Sequence, residues 1–427
     1  MDDFGKPQDN QTYTIMMYGC GGGNLDENMM QNIDEAYLIG SSDRVNFIGQ
    51  VNFSAEYQKK EKYKGTLRFK VGPTPEGEFK PEKYSENVIN LSDPQHLTDF
   101  INWSKQEAPA DNYILLLWNH GKGWIPADDA PQQRGILFDD NFKDQCITLD
   151  NIVKGIKDSD TYLKMIYFDA CLMGQLEIIT GVKDCADYFM GATHVTPGLG
   201  GDYNSLMYHL GTTTNFEDSM KEYGRETMMH WNQDNCPLDL KVINLKKMDK
   251  FLSETGIFAG LAKEVTEHAL QTQEDLAEGT LDEQEMMNAI QLLSKYDNAL
   301  NKCYQYDEDK ELPFYDLMDI VEAFTALPYA PYSAKLVDIA SRMNRSWNEA
   351  VVCNLISKTG QGHDFSVGVT VVGTERWHTE GYDTTYPNLE FDKLTNWSSW
   401  MSINYCEPEG NPNPGTYTPE DNDNEGG

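Results

Sequence analysis

Two residues that could act together in catalysis stand at the ends of two strongly apolar segments. His120 follows residues 113–118, which read Y-I-L-L-L-W, and Cys171 follows residues 165–168, which read M-I-Y-F. Continuous apolar runs are typical of central strands in a parallel sheet, and functional groups gather at the carboxyl ends of such strands. The sequence therefore predicts that an imidazole and a thiol, 51 residues apart in the chain, meet at one edge of a sheet.

A thiol beside an imidazole can carry out nucleophilic acyl transfer. A free thiol has a pKa of about 8.5 and becomes reactive when a neighbouring imidazole or a helix N-terminus favours its thiolate. Cys171 is predicted to have both, because a helical pattern of apolar residues starts directly after it. His120 would then protonate the leaving amine, and the backbone N–H groups of Gly121 and Cys171 are the predicted oxyanion hole.

The elements that must position this pair alternate between short apolar runs and helical patterns in the first half of the chain. That alternation predicts an α/β fold, a three-layer α/β/α sandwich with a mostly parallel sheet. We divide the chain into a flexible N-terminus (1–12), a catalytic domain (13–235), a mainly helical C-terminal extension that completes the fold (236–405) and a disordered acidic tail (406–427). A loop is predicted over residues 271–283.

Charge and composition exclude several classes of function. The formal net charge is −35, which would repel nucleic acids and anionic membranes and attract cationic substrates. No apolar run approaches the roughly 20 residues that a membrane-spanning helix needs. The eight cysteines are scattered and form no Cys/His cluster at zinc spacing, so no metal site is predicted.

Three segments resemble the signature blocks of the clostripain family of clan CD cysteine peptidases, which have a caspase-like fold. The segments are Y-T-I-M-M-Y-G-C-G-G-G-N-L-D from residue 13, L-L-L-W-N-H-G-K-G-W from residue 115 and I-Y-F-D-A-C-L-M-G-Q-L-E from residue 166. The histidine of caspase-like peptidases also lies about 50 residues before the cysteine. Further similarities downstream extend the resemblance over residues 13–401. The first block departs from the usual N-G-D-N-N of the family, where this chain reads C-G-G-G-N.

The resemblance implies a cysteine endopeptidase that cleaves peptide bonds after arginine or lysine through a thioester at Cys171. Asp169 matches the aspartate with which the family holds the basic side chain, and Asp202 is the predicted second carboxylate. Carboxylates suit the forked guanidinium of arginine best, so arginine is expected to be preferred over lysine. Family members also mature by internal cleavage between the catalytic residues, which makes Arg134 the predicted self-cleavage site.

The remaining expectations concern cofactors, partners and location. No cofactor is expected to be required, and calcium binding is left open. The expected substrates are peptides or proteins, and the enzyme is expected to be a monomer. The family implies action outside the cytoplasm, as a secreted, periplasmic or cell-surface protein, although residues 1–11 contain no recognisable signal peptide. Because a lone cysteine at a strand end is more often an inert buried residue, the alternative is a catalytically silent exported relative that binds peptide or glycan.

Overall fold

The structure is a computed structural model, which describes residues 11–73, 79–124, 135–143, 145–212, 215–231, 237–301, 303–307, 312–327, 330–357 and 367–406. Three sequence predictions fall outside these ranges: the flexible N-terminus up to residue 10, cleavage at Arg134 and the disordered tail from residue 407. Within the described ranges, no helix combines the length and apolar character needed to cross a membrane.

A nine-stranded sheet forms the centre of the described part of the chain. The strands of the described residues, including those of two small two-stranded sheets, are β1 (Tyr13–Cys20), β2 (Val45–Asn52), β3 (Thr66–Lys70), β4 (Glu82–Ser85), β5 (Asn112–Trp118), β6 (Ile136–Asp139), β7 (Gln145–Ile147), β8 (Leu163–Asp169), β9 (Ala186–Gly191), β10 (Asp239–Asn244), β11 (Phe314–Asp316), β12 (Val351–Ile356) and β13 (Gly368–Thr370). The large sheet has the order β12-β10-β9-β8-β5-β1-β2-β3-β4, while β6 pairs with β7 and β11 with β13. Strands β9, β8, β5, β1 and β2 are parallel, and the outer strands on both sides pair antiparallel.

Helices cover both faces of the sheet. They are α1 (Asp26–Ile39), α2 (Pro94–Glu107), α3 (Leu149–Asp158), α4 (Leu176–Gly181), α5 (Tyr203–Thr212), α6 (Phe216–Trp231), α7 (Met248–Glu278), α8 (Glu283–Leu300), α9 (Leu317–Thr325), α10 (Ala330–Ala350), α11 (Thr374–Thr379), α12 (Tyr382–Thr385), α13 (Glu390–Thr395) and α14 (Ser398–Met401). Helices α1, α5 and α6 contribute to one core, whereas α2, α3, α4 and most of the C-terminal helices contribute to the other.

The alternation of side chains along the central strands explains the two cores. Leu115 and Leu117 of β5 point into one core, and Leu116 and Trp118 point into the other. All four are buried, as the continuous apolar run of this strand requires. The predicted α/β sandwich is therefore confirmed.

The C-terminal part of the chain joins the central sheet as well as adding helices. Strands β10 and β12 follow residue 235 and extend the sheet beyond β9. The domain boundary at residue 235 thus separates strands of one sheet, and it stays a prediction.

The loop predicted over residues 271–283 is wrong for residues 271–278, which are helical, and only residues 279–282 connect the two helices. Helix α7 continues to Glu278 and ends at Gly279, which adopts the left-handed conformation with φ 66°. Asp282 then caps α8 through a capping box with Glu285. The acidic, polar residues that suggested a loop lie on the solvent-exposed last turns of a long helix, where a polar surface is expected.

Candidate active site

The register of the sheet brings His120 and Cys171 to neighbouring strand ends. Trp118 of β5 pairs with Asp169 of β8 in parallel, and each of the two candidate residues lies two positions further along its chain. The adjoining Gly121 lies directly against the cysteine backbone, because a Cβ atom at this position would be 2.3 Å from the Cys171 carbonyl oxygen. Only glycine permits this close approach. The predicted pair of residues is thus brought to one place in the fold.

A third side chain holds the imidazole. The Nε2 atom of His120 lies 2.7 Å from the Oδ1 atom of Asn24, in the turn between β1 and α1. Because an amide oxygen can only accept a hydrogen bond, Nε2 carries a proton, and in the neutral imidazole Nδ1 is left to accept one. This arrangement fixes the tautomer and the orientation of the ring that a general base needs.

Cys171 lies in a tight turn, and the predicted helix directly after it is wrong. Leu172 adopts a left-handed conformation with φ 57°, and α4 begins only at Leu176. The intervening residues pair instead with the segment that follows β9, since Leu172 N–H donates to the His194 carbonyl (3.1 Å) and Gly174 N–H donates to the Ala192 carbonyl (2.7 Å). The N-terminus of a helix is therefore not available to favour the thiolate.

Thr196 supplies the polar contacts of the Cys171 thiol. Its backbone N–H lies 3.3 Å from the Sγ atom, and its carbonyl and hydroxyl oxygens each lie 3.6 Å from that atom. Burial raises the pKa of Cys171, and the two donors of Thr196 partly offset this rise. A backbone N–H aimed at sulfur stabilises the thiolate once it forms.

The imidazole has the opposite shift. Burial, together with the charge of Lys122, lowers the pKa of His120 below its ordinary value of 6.5. With the thiol pKa raised and the imidazole pKa lowered, both groups are neutral near pH 7. This is the state in which the imidazole can accept the thiol proton during attack on a carbonyl.

The carboxylate of Asp169 is buried behind the turn. Its Oδ2 atom accepts hydrogen bonds from the Tyr203 hydroxyl (2.6 Å) and from the Gly201 N–H (2.8 Å). Burial raises the pKa of Asp169, and these two hydrogen bonds partly offset the rise. An incoming cation would favour the ionised form of such a carboxylate.

Asp202 lies between the two residues that bind Asp169. Its carboxylate caps α5 by accepting a hydrogen bond from the Ser205 N–H (3.1 Å), and its own N–H donates to the Thr227 hydroxyl (3.3 Å). Asp202 thus lies on the segment whose neighbouring residues bind the Asp169 carboxylate. The role of Asp202 in binding substrate stays a prediction, as do the oxyanion-hole roles of Gly121 and Cys171.

Sequence patterns did not identify the residues that support the pair. Asn24 and Thr196 stand in loops, far along the chain from their partners, and neither belongs to an apolar period. One signal for Asn24 was present, since the C-G-G-G-N segment shares its last residue with the N-G-D-N-N pattern of the resembled family. No comparable signal marked Thr196.

Comparison with known proteins gives concordant results. The family model described as the clostripain family matches residues 74–402, which include His120 and Cys171 but not the first of the three blocks. Clostripain from Hathewaya histolytica is 23% identical over 419 residues, covering 89% of this chain and 78% of that protein.

Two solved structures are similar over most of their length. A secreted C11 cysteine protease from Bacteroides thetaiotaomicron, in complex with an irreversible peptide inhibitor, has a TM-score of 0.64 at 15% identity, covering 91% of this chain and 99% of that chain. An inactive zymogen C11 protease from Parabacteroides distasonis has a TM-score of 0.60 at 16% identity, covering 90% and 98%. At these identities the structures establish a shared fold.

Proposed function

The chain belongs to the clostripain family and is a cysteine peptidase that acts on peptides or proteins, and from this premise we propose that Cys171 is its nucleophile and His120 its general base and acid. The observation that carries the proposal is the register of β5 and β8, which brings these two side chains to adjacent strand ends. The contact between Gly121 and the Cys171 carbonyl supports it further.

The proposed reaction follows from the protonation states of the pair. Nδ1 of His120 takes the thiol proton as Sγ attacks the carbonyl carbon, and the Thr196 N–H stabilises the sulfur as it gains negative charge. The N–H groups of Gly121 and Cys171 would hold the carbonyl oxygen of the tetrahedral intermediate. His120 then protonates the leaving amine to give a thioester, and water activated by the neutral imidazole releases the acid and restores the thiol.

We also propose that the enzyme cleaves after arginine, and less well after lysine. The buried carboxylate of Asp169 lies two residues before the nucleophile, and the carboxylate of Asp202 is on the adjoining segment. A guanidinium can form two parallel hydrogen bonds with a carboxylate, whereas an ammonium cannot. The net charge of −35 would raise the local concentration of such cationic peptides.

The experiment that tests this function is hydrolysis of fluorogenic peptides that differ only in the residue before the cut. Arginine and lysine peptides should be cleaved, and matched aspartate and leucine peptides should be cleaved at least about 100-fold more slowly. Adding calcium chloride or EDTA to the same assay measures any calcium dependence, and we propose that no cofactor is required. Cleavage of only the leucine or aspartate peptide would contradict the proposed specificity. If none of the peptides is hydrolysed, the result would favour the alternative of a catalytically silent binding protein.

The pH dependence of kcat/KM follows from the shifts of the catalytic pair. Because the pKa of His120 is lowered, the imidazole stays a base down to pH values below 6.5, so kcat/KM should fall only as the pH drops through that lower range. The rate of Cys171 alkylation by iodoacetamide should keep rising above pH 9, since burial raises the thiol pKa. An acid limb centred above pH 6.5 would contradict a neutral imidazole.

Replacing Asn24 should impair catalysis without affecting substrate binding. The Asn24→Ala substitution removes the acceptor for His120 Nε2–H, and hydrogen bonds to charged groups contribute about 1.5–3 kcal/mol, so kcat should fall about 10–100-fold with KM within about twofold. Asn24 is exposed, so the fold should be unaffected.

The matched control for Asn24 is Asn24→Asp. It keeps an acceptor and adds a negative charge beside the ring, so kcat should stay within about threefold of the parent and the acid limb of kcat/KM should move to higher pH. Equal losses in both variants would mean that Asn24 does not act through His120.

Self-cleavage after Arg134 is proposed on the family resemblance and on the Parabacteroides relative, which is described as an inactive zymogen. Arg134 lies outside the described residues, so its own position adds no support. Intact mass measurement after expression tests the proposal, because the parent should give two fragments that separate after residue 134. The Cys171→Ala protein should remain one chain, and identical nicking of both proteins would assign the cut to another protease.

We further propose that the enzyme acts outside the cytoplasm, as a monomer. The solved Bacteroides relatives are described as secreted proteases, which supports the location. The monomeric state follows only from the sequence resemblance and is measured by light scattering.

A further inference from the structure

A cluster of buried charged residues lies beside the proposed active site and has no part in the chemistry described above. We call His194, Asp239 and Lys241 the Asp239 cluster; Asp239 and Lys241 have no exposed surface, and His194 is 2% exposed. Lys241 Nζ donates to Asp239, and His194 Nδ1 lies 2.7 Å from Asp239 Oδ1. The other ring nitrogen of His194 lies 3.0 Å from the Tyr304 hydroxyl, so the cluster also connects to the C-terminal part of the chain.

The Asp239 carboxylate binds the backbone of the segment that follows β9. Its Oδ1 atom accepts hydrogen bonds from the N–H of Thr193 and from the N–H of His194, both at 2.9 Å. Its Oδ2 atom accepts from the Thr193 hydroxyl at 3.1 Å. Two consecutive peptide groups are therefore fixed by a single side chain from β10.

The same segment also binds the turn that carries Cys171. The His194 carbonyl accepts from Leu172 N–H at 3.1 Å, and the Ala192 carbonyl accepts from Gly174 N–H at 2.7 Å. Two residues after His194, the Thr196 N–H lies 3.3 Å from Cys171 Sγ. Any displacement of residues 192–196 would therefore move both the turn that carries the thiol and the donor that faces it.

Stability alone is a weak explanation for a buried group of charges such as this one. Burial lowers the pKa of Lys241. Burial alone would raise the pKa of Asp239, but the charges of Lys241 and His194 outweigh the effect of burial and leave the Asp239 pKa below its ordinary value. Buried ion pairs can often be replaced by apolar residues of similar volume without loss of stability. A carboxylate offers several acceptor sites in one place, which an apolar side chain cannot supply.

We propose that Asp239 is a positioning residue for catalysis, which holds residues 193–196 so that the Thr196 N–H faces the Cys171 sulfur, an inference that rests on the proposed role of Cys171 as nucleophile. Lys241 balances the buried charge. The Thr193 and His194 amides are the groups through which Asp239 acts.

Two double variants separate the charge from the backbone contacts. Asp239→Asn with Lys241→Met removes both charges but keeps an oxygen that can accept from the Thr193 and His194 amides. Asp239→Leu with Lys241→Met removes the same charges and the acceptor as well. Each protein is titrated with an irreversible arginyl chloromethyl ketone, so that kcat is expressed per reactive site.

The asparagine variant should keep kcat within about threefold of the parent, and the leucine variant should lose about 10–100-fold in kcat with KM within about threefold. A purely structural role would lower the melting temperature and the fraction of titratable sites while leaving kcat per site equal in both variants, and that result would overturn the proposal. If the leucine variant does not fold, Asp239→Ser with Lys241→Met replaces it. The shorter serine hydroxyl cannot hold both amides, so the same loss of kcat is expected and an unchanged kcat is again contradictory.

A matched control removes a buried charged contact elsewhere. Glu254 of α7 is 3% exposed and binds Arg342 (3.4 Å) and Ser346 of α10. Glu254→Leu with Arg342→Met should leave kcat per site unchanged, whatever its effect on the melting temperature. Hydrolysis that persists in Cys171→Ala would instead overturn the proposed function itself, which distinguishes the two failures.

Discussion

Replacing Cys171 by alanine is expected to lower kcat for the arginine peptide by at least about 10⁴-fold, because the thioester is proposed to form on its sulfur and removing the nucleophile of a triad protease costs about 10⁶-fold. His120→Ala should cause a loss of similar size. The double variant should be no worse than either single variant, because a nucleophile and its base act as one unit. Initial rates are measured at saturating substrate, and product is followed over hours so that a loss of kcat of this size can be detected.

The substitution should leave the fold intact, which makes the result interpretable. Among the described residues, the hydrogen bonds of the thiol go to Thr196, so its replacement by alanine removes only these weak contacts. Cys353→Ala is the matched control, since Cys353 is also a partly buried free thiol but lies on β12 at the edge of the sheet. It should keep full activity. If Cys171→Ala retained more than about 1% of the parent kcat, the nucleophile would be another residue.

The second large effect is expected at Asp169, the proposed specificity residue. Asp169→Asn should lower kcat/KM for arginine and lysine peptides by about 10²–10³-fold, because a cationic side chain left without its buried counter-charge costs about 2–5 kcal/mol. The asparagine oxygen can still accept from the Tyr203 hydroxyl and the Gly201 N–H, so the local structure should persist. The measured quantity is the ratio of kcat/KM values for arginine and leucine peptides.

Asp202→Asn tests the second predicted carboxylate under matched conditions. Asparagine caps helices as well as aspartate does, so the contact with the Ser205 N–H should be kept while the charge is lost. A drop in the arginine-to-leucine ratio at both positions would support a pocket with two carboxylates. Alkylation of Cys171 by iodoacetamide should be no slower than in the parent in either variant, because the Asp169 charge contributes to the raised pKa of the thiol, and this control shows that the thiol stays intact. An Asp169→Asn protein that kept its preference for arginine would rule out Asp169 as the specificity residue.

The sequence alone determined the centre of the fold and the placement of the proposed catalytic pair at two strand ends. The apolar runs of β5 and β8 required strands buried on both faces, and the ends of these strands gave His120 and Cys171. Local helix signals are also present in the sequence, since Asp93 caps α2 and Thr148 caps α3 through their side chains. Helix caps depend on residues that are close together in the chain, so a short stretch of sequence is enough to predict them.

Local pattern was misleading where packing or backbone conformation overrode it. The polar residues of α7 resembled a loop, yet they continue a helix whose earlier turns are anchored in the core. The apolar residues after Cys171 resembled a helix, yet Leu172 takes a left-handed conformation and its N–H donates to the His194 carbonyl. In both cases the deciding contacts lie outside the stretch that the pattern covers.

Only the tertiary structure decided which residues support the proposed catalytic pair. Asn24 reaches His120 across 96 residues, and Asp239 fixes the Thr193 and His194 amides across some 45 residues. No sequence period records such contacts, because they arise when parallel strands bring separate loops to the same edge of the sheet. The physical reason is that the chemistry of single residues and the periodicity of single elements are local properties, whereas the distances that orient an imidazole and a thiol are set by the packed sheet as a whole.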